Sequence, residues 1–302
     1  MAFKKILILG AGAVGSVIGA LLSSRNDVTL VGNEAHVEAV NSRGLSISGD
    51  VNKTFHIRAD SQIREIPREA LIFLTTKAYD SERAITGINT ILRKDTVILV
   101  LQNGIGNEDI VKNAAGGKAT VLRGVTSMAA EFFRAGEVKY WRGETVIERT
   151  AMAEEVADTL NACDVKTNLS ENIRDNVWNK VVVNSVVNPL TAIFKVRNRQ
   201  IGGETLESVR QQIVRECVQV GEAEGISLAS DLEKQIDKAI LGYTNFSSMC
   251  QDIMKGKRTE IDFLNAKIVD LGRKHGVPTP VNETIVHLIR FLEEKNELPR
   301  KN

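Results

Sequence analysis

Bulk chemistry gives this chain of 302 residues no special character, because no residue class is present in excess. Its 39 Lys and Arg against 38 Asp and Glu leave a net charge of +1. That balance provides no electrostatic footprint for nucleic acid or for an anionic membrane surface. Only three cysteines occur, Cys163, Cys217 and Cys250, far apart and without metal-ligand spacing. They read as reduced thiols rather than as a disulfide framework. The histidines His36, His56, His275 and His287 form no ligand pattern either, so no metal site is expected. Repeats and low-complexity segments are lacking, and only the tail Glu293–Asn302 is expected to fray. One stretch could pass for a signal peptide or a membrane span: the uncharged run Ile6–Ser24 behind Lys4-Lys5. Four of its residues are glycine, and Arg25 and Asp27 follow at once. A soluble strand, turn and helix fit better, which makes the cytoplasm the default location and excludes a membrane partner.

With 43% hydrophobic and 25% charged residues the chain can bury a sizeable core, most naturally as two domains. The most informative segment lies at its start. Lys4–Leu9 is a short, branched, apolar strand; Gly10-Ala11-Gly12-Ala13-Val14-Gly15 forms a turn; Val14–Leu22 continues as a helix and Asp27–Val31 as a second strand. In that order Gly10 permits the sharp turn, Gly12 lets backbone approach a pyrophosphate, and Gly15 lets the helix close on the strand. The positive end of the helix then faces the phosphate charge. A GxGxxG alone is weak evidence, and an incidental glycine turn is the alternative; here the flanking elements agree with a dinucleotide site.

Two rhythms divide the rest. Strand-like runs at Ala70–Thr75, Thr96–Leu101 and Thr120–Val125 alternate with helical stretches, and Val138–Trp141 with Thr145–Glu148 reads as a closing hairpin. Beyond Asn172 only helical periods remain: Asp175–Val187, Glu207–Glu224, Ser230–Leu241, Ser247–Gly256, Glu260–His275 and Asn282–Lys295. The predicted fold is α/β: a Rossmann-type doubly wound, mostly parallel sheet over residues 1–170, then an all-helical C-terminal domain over 171–302. A crevice between the halves is the expected place for a substrate. Ligands in such sheets sit beyond the carboxyl ends of strands, where Thr76-Lys77-Ala78 and Gln102-Asn103-Gly104-Ile105-Gly106 begin. Lys77 and Asn103 are therefore candidates, against a solvated loop charge and a turn former.

The helix Val177–Leu190 is strongly apolar, and its polar residues Lys180, Asn184 and Asn188 stand four residues apart on one stripe. A solvated face would carry several charges. One ammonium and two amides beside a valine-rich flank suit a partly desolvated proton donor with two grips for hydroxyl or carbonyl oxygens. Asn188 precedes Pro189, so it stands either on the stripe or as the cap of a new helix. Further on come Ser247-Ser248-Met249-Cys250-Gln251-Asp252-Ile253 and Arg258-Thr259-Glu260-Ile261-Asp262. Alone these are a helix cap and a surface face; beside Lys180, one carboxylate could orient the ammonium or a substrate hydroxyl.

Taken together, G-A-G-A-V-G, T-K-A at Lys77, Q-N-G-I-G at Asn103, W-N-K-V-V-V-N-S-V-V-N-P-L-T-A around Lys180, S-S-M-C-Q-D-I and R-T-E-I-D resemble the ketopantoate reductase family along essentially the whole chain. The resemblance implies reduction of the 2-oxo group of 2-dehydropantoate to (R)-pantoate in pantothenate and coenzyme A biosynthesis. It implies Lys180 as proton donor; Asn184, Asn188, Asn198 and Ser248 on the substrate; and Asn103 on both cofactor and substrate. Ala130 would lie on the cofactor, and Glu260 at the cofactor–substrate junction. NADPH is the implied cofactor. Many family members carry an arginine just after the second strand for the 2′-phosphate, whereas Asn33 with Glu34 beside it stands here, so NADH stays open unless Arg43 or another cation folds back. The rival readings are a reductase of another branched 2-oxo acid and a non-catalytic nicotinamide-binding regulator. The regulator would be expected to lose Lys180 or Glu260, and both are present. The family includes monomers and dimers, so a homodimer is open.

Overall fold

A computed structural model describes residues 3–242 and 244–297. The expected fraying of the tail falls, from residue 298 on, outside the described residues. The chain divides into two compact units: residues up to Gln102 with Gly106–Ile173, and Asn103–Ile105 with the residues from Arg174 onward.

The first unit contains strands β1 (Lys5–Leu9), β2 (Val28–Val31), β3 (Leu45–Gly49), β4 (Lys53–Phe55), β5 (Arg58–Asp60), β6 (Ala70–Leu74), β7 (Val97–Val100), β8 (Thr120–Thr126), β9 (Ala129–Arg134), β10 (Glu137–Trp141), β11 (Thr145–Glu148) and β12 (Thr167–Ser170). Its helices are α1 (Ala13–Leu22), α2 (Glu34–Arg43), α3 (Ser81–Thr86), α4 (Asn107–Ala115) and α5 (Ala151–Asn161). Eight strands form one sheet in the order β12-β11-β8-β7-β6-β1-β2-β5. Its neighbours run parallel except β8 and β11. Side chains alternate along the central strands. Ile6, Ile8, Leu71, Phe73 and Leu99 join one buried cluster, while Leu7, Ile72, Leu74, Ile98 and Val100 join another. Such an apolar run with both faces covered is what a parallel strand needs, and each buried side chain is worth about 1.5–3 kcal/mol.

The remaining four strands form a second sheet, β4-β3-β10-β9. Helix α1 packs against β1 and β2 of the large sheet and against β3, β9 and β10 of the small one. It is buried from Gly15 through Leu22, and a helix that is apolar all round is one covered on every side. That explains the run that imitates a membrane span; no helix of the described residues is long and apolar enough to cross a bilayer. The expected hairpin of Val138–Trp141 with Thr145–Glu148 is not formed. β10 pairs with β9 and β3, and β11 pairs with β8 and β12. The chain changes sheet between β10 and β11, where Gly143 lies so close to the backbone of Met128 that a Cβ would stand 2.6 Å from its Cα.

The second unit is helical: α6 (Ile173–Phe194), α7 (Glu207–Ala223), α8 (Leu232–Gly242), α9 (Ser248–Met254), α10 (Asn265–His275) and α11 (Pro280–Glu297). Two differences from the sequence expectation matter. α6 runs for 22 residues with Pro189 inside it, so Asn188 does not cap a new helix. Glu260 stands outside α10, before a short 3₁₀ turn over Ile261–Phe263.

Candidate active site

In the first unit β1 ends at a turn with no room for side chains. Gly10 has φ +110, and a Cβ there would lie 2.6 Å from the Thr75 carbonyl carbon; a Cβ on Gly15 would lie 2.5 Å from Thr75 Oγ1. The Gly10 and Ala11 amides both donate to the Val31 carbonyl, at 3.0 and 2.8 Å, and Thr75 Oγ1 donates to the Gly10 carbonyl at 2.8 Å. Gly12 differs: the nearest heavy atom to a Cβ there is the Gly10 carbonyl oxygen at 4.0 Å. The space above Gly12 is thus left open. α1 starts at Ala13 with no side-chain cap and no acidic residue in its first turn. Ala13 and Val14 therefore present amides without helical acceptors. Open backbone at a positive helix end fits the pyrophosphate of a dinucleotide.

Three further candidates lie in this unit. Asn33 caps α2, its Oδ1 accepting from the His36 amide at 2.9 Å, and its side chain is otherwise exposed. Arg43 does not fold back towards it. It sits at the far end of the 10-residue α2, about 15 Å along the axis, with Nη2 donating to the Ala135 carbonyl at 2.7 Å. Lys77 follows β6 at the extended residue before a 3₁₀ turn over Ala78–Asp80 and is half-buried. Ala130 lies on β9, half-buried against the core that holds α1.

Sequence reasoning missed the supports of this turn. His36 is fully buried. Its Nδ1 accepts from the Gly136 amide at 3.0 Å, which leaves the proton on Nε2, 3.0 Å from Ser16 Oγ. Burial pushes its pKa below the ordinary value. Gln102, just beyond β7, donates to Thr76 Oγ1 at 3.0 Å and to Ser81 Oγ at 2.7 Å. The buried Arg123 donates to the Gln102 and Val100 carbonyls, each at 3.0 Å. Neither a lone histidine nor a lone strand-end amide carries a sequence signal for such roles.

The second unit gathers most of the other candidates. Lys180, Asn184 and Asn188 share α6; the first two are half-buried and the third is buried. Asn184 Nδ2 lies 3.5 Å from Asn103 Oδ1. Asn103 is here because Asn103-Gly104-Ile105 docks on the 3₁₀ turn that follows Glu260. The Ile105 amide donates to the Phe263 carbonyl at 3.2 Å, and a Cβ on Gly104 would lie 2.6 Å from Phe263. Glu260 itself is 7% exposed. Its flanks are clamped: Asp262 accepts from Arg258 at 2.9 Å and from Arg290 at 2.7 Å. Burial works against the charge of Asp262, yet the two guanidinium groups hold its pKa below the carboxylate range.

Ser248 is the first residue of α9, which Ser247 caps by accepting from the Cys250 amide at 3.1 Å. Ser247 Oγ also meets Thr191 Oγ1 of α6 at 2.7 Å. Asn198 and Asn245 pair through backbone, the Asn198 amide donating to the Asn245 carbonyl at 3.1 Å, and through their side chains at 3.5 Å. Asn245 was not singled out in the sequence; its only signal is three positions' distance from Ser248. Asn198 Oδ1 is buried and accepts no hydrogen bond from the described residues. An orphaned buried acceptor of this kind suits a hydroxyl donor of a ligand. No group of His, Cys, Asp and Glu among the described residues could hold a metal ion.

Known proteins share this architecture. Residues 6–151 match the family model described as ketopantoate reductase PanE/ApbA, and residues 172–293 match its C-terminal counterpart. The chain is 38% identical over 299 residues to the 2-dehydropantoate 2-reductase of Pyrococcus horikoshii, covering 96% of this chain and 97% of that one. It is 34% identical over 305 residues to that of Archaeoglobus fulgidus, covering 97% and 99%. Among solved structures, a PanE/ApbA family ketopantoate reductase from Ralstonia eutropha JMP134 superposes with a TM-score of 0.89 at 31% identity, covering 97% of this chain and 100% of that one. D-mandelate dehydrogenase in ternary complex with NADH and anilino(oxo)acetate gives 0.88 at 29%, with the same coverage. The chain belongs to the ketopantoate reductase family.

Proposed function

We propose that this chain reduces the 2-oxo group of 2-dehydropantoate to (R)-pantoate with a reduced nicotinamide dinucleotide. The dinucleotide-binding domain is residues 1–170 and the substrate domain residues 171–302. The observation that carries the reading is the α6 stripe: one lysine and two asparagines spaced four residues apart along α6, with Asn184 in reach of Asn103 and the buried Glu260 on the turn where Asn103 docks. When bound, the nicotinamide supplies a hydride to C2 of the keto acid. Negative charge then grows on the C2 oxygen, where the Lys180 ammonium stabilises it and gives up its proton. Asn103 and Asn184 orient the reacting oxygen, while Asn188, Asn198 and Ser248 hold the remaining oxygens of the substrate. Glu260 orients the ammonium or the substrate hydroxyl. On the other unit, residues Gly10 through Gly15 hold the pyrophosphate, with Asn33, Lys77 and Ala130 along the rest of the dinucleotide.

The test is the loss of absorbance of NADPH or NADH when 2-dehydropantoate is added, run beside a panel of other branched 2-oxo acids. A second reading, reduction of another 2-oxo acid, is favoured by the likeness to D-mandelate dehydrogenase; a panel member turned over faster than 2-dehydropantoate would establish it. The role of Lys180 has its own check. A positioned proton donor contributes ~10²–10⁴ in rate, about 3–5 kcal/mol of barrier. Lys180→Ala should lose turnover by that factor with dinucleotide affinity little changed, and wild-type turnover in it would remove the assignment.

The two reductants part at the ribose 2′ position. NADPH is what the family resemblance implies. NADH is favoured by the neutral Asn33, the acidic Glu34 next to it, and the engagement of Arg43 at the far end of α2.

A further inference from the structure

Proline has no N–H, so Pro189 leaves the Ser185 carbonyl, one helical turn earlier in α6, without its usual donor. Ser185 is fully buried, and buried carbonyls without partners are rare. The missing donor comes from another helix. Asn265, the fully buried first residue of α10, donates from Nδ2 to the Ser185 carbonyl at 2.9 Å. The same Nδ2 donates to Asn282 Oδ1, also at 2.9 Å. Asn282 in turn donates from Nδ2 to Glu216 Oε2 at 2.7 Å. The Glu216 carboxylate also accepts the Val281 and Asn282 amides in the first turn of α11, both at 2.9 Å. Asn265 therefore has both amide hydrogens committed, and its own position is fixed by a partner that is itself fixed.

Ser185 directly follows Asn184 on the helix that carries Lys180 and Asn188. α10 begins directly after the 3₁₀ turn on which Asn103-Gly104-Ile105 docks, with Glu260 at its head. We propose that Asn265 is a positioning residue for the reaction. By taking the place of the N–H that Pro189 lacks, its amide keeps α6 helical through the proline and so sets the height and rotation of the stripe that carries Lys180, Asn184 and Asn188. With alanine at 189, α6 would satisfy the Ser185 carbonyl from its own backbone and keep that geometry without Asn265. The proline thus makes the course of α6 depend on a side chain of α10. Asn265 itself touches no reacting atom.

This inference rests on the reading that Lys180 and Glu260 act on a keto acid, and a four-protein cycle separates the two. Asn265→Ala is expected to lower kcat by about 10–100-fold, the scale of a small misplacement of reacting groups. Dinucleotide affinity, read by fluorescence titration, should stay within about twofold, because the glycine turn belongs to the other unit. Pro189→Ala alone should leave kcat within about twofold. In the Asn265→Ala background the same change gives Ser185 a helical donor again and should recover about tenfold or more, a non-additivity that general core damage would not produce. Wild-type kcat in Asn265→Ala, or an equal effect of Pro189→Ala in both backgrounds, overturns the proposal. If Asn265→Ala fails to fold, the double variant must fold and turn over; its failure counts equally against the role. Lys180→Ala reports on the reading beneath. Unchanged turnover there removes that reading, whereas a loss there beside wild-type kcat in Asn265→Ala removes only the positioning role.

Discussion

Two demands meet on the side chain of Asn33. Its Oδ1 caps α2 by accepting the His36 amide, and its Nδ2 is left to donate, which suits a ribose hydroxyl as well as a phosphate oxygen. An arginine there would supply charge for a 2′-phosphate and lose the cap, worth about 0.5–2 kcal/mol. Hydrogen bonds to charged groups are worth about 1.5–3 kcal/mol. Asn33→Arg is therefore expected to raise kcat/KM for NADPH relative to NADH by about tenfold or more, with a small fall in thermal stability. Kinetics with the two cofactors check the first part and a melting curve the second. Unchanged NADPH use would mean that residue 33 does not face the 2′ position. The sequence showed the absent arginine, but not that the asparagine in its place was occupied as a cap.

At the scale of elements, the glycine turn separates what a fold needs from what a ligand needs. Gly15→Ala drives a methyl group to 2.5 Å from Thr75 Oγ1, so it should cost stability by overpacking, about 1–3 kcal/mol. Gly12→Ala meets nothing nearer than 4.0 Å. It should leave stability within about 1 kcal/mol and weaken dinucleotide binding by about tenfold or more, equal to about 1.4 kcal/mol. Denaturant midpoints beside cofactor titrations distinguish the two, and a reversed order would refute the assignment of Gly12 to the pyrophosphate. This turn was legible because its flanking strands and helix have strong local patterns. The course of α6 was less so. The residue before a proline is biased away from helix, which put Asn188 in doubt; the donor that lets the helix continue comes from Asn265, far along the chain. Glu260 was expected inside a helix for the converse reason. Its helix-like neighbours hide the break at Leu264, whose backbone lies outside helical geometry at φ −114, ψ −107.

Across the whole molecule, the two rhythms of the sequence carried the fold class, since a buried parallel sheet and amphipathic helices write different periods. The small second sheet was illegible. β4 is three residues long, too short for a period, and β3 pairs with β10 across a long stretch of intervening chain. Nor could the sequence show that Asn103-Gly104-Ile105 leaves the sheet-bearing unit for the helical one. His36 has the widest reach of the unread residues. It ties Ser16 of α1 to the backbone of Gly136 between β9 and β10, so it links the glycine turn's helix to the second sheet. Protonation would place a hydrogen on Nδ1 against the Gly136 N–H and break that bond. Because burial lowers the folded pKa below the ordinary histidine value of about 6.5, the unfolded chain binds the proton first. The stability from neutral His36 is therefore complete above pH 6.5 and drains as pH falls below it towards the lower folded pKa, by up to about 1.4 kcal/mol per pH unit. Asp262 also has a depressed pKa, but its contribution is lost only in stronger acid, below the ordinary carboxylate value, so the windows do not overlap. Denaturant unfolding at pH 7.5, 6.5 and 5.5 should show wild type weakening over the lower interval and His36→Asn, less stable at the start, staying nearly flat. Parallel curves for the two proteins would mean that native His36 takes up a proton as readily as the unfolded chain does, against the hydrogen-bond pattern that assigns its Nδ1 as an acceptor.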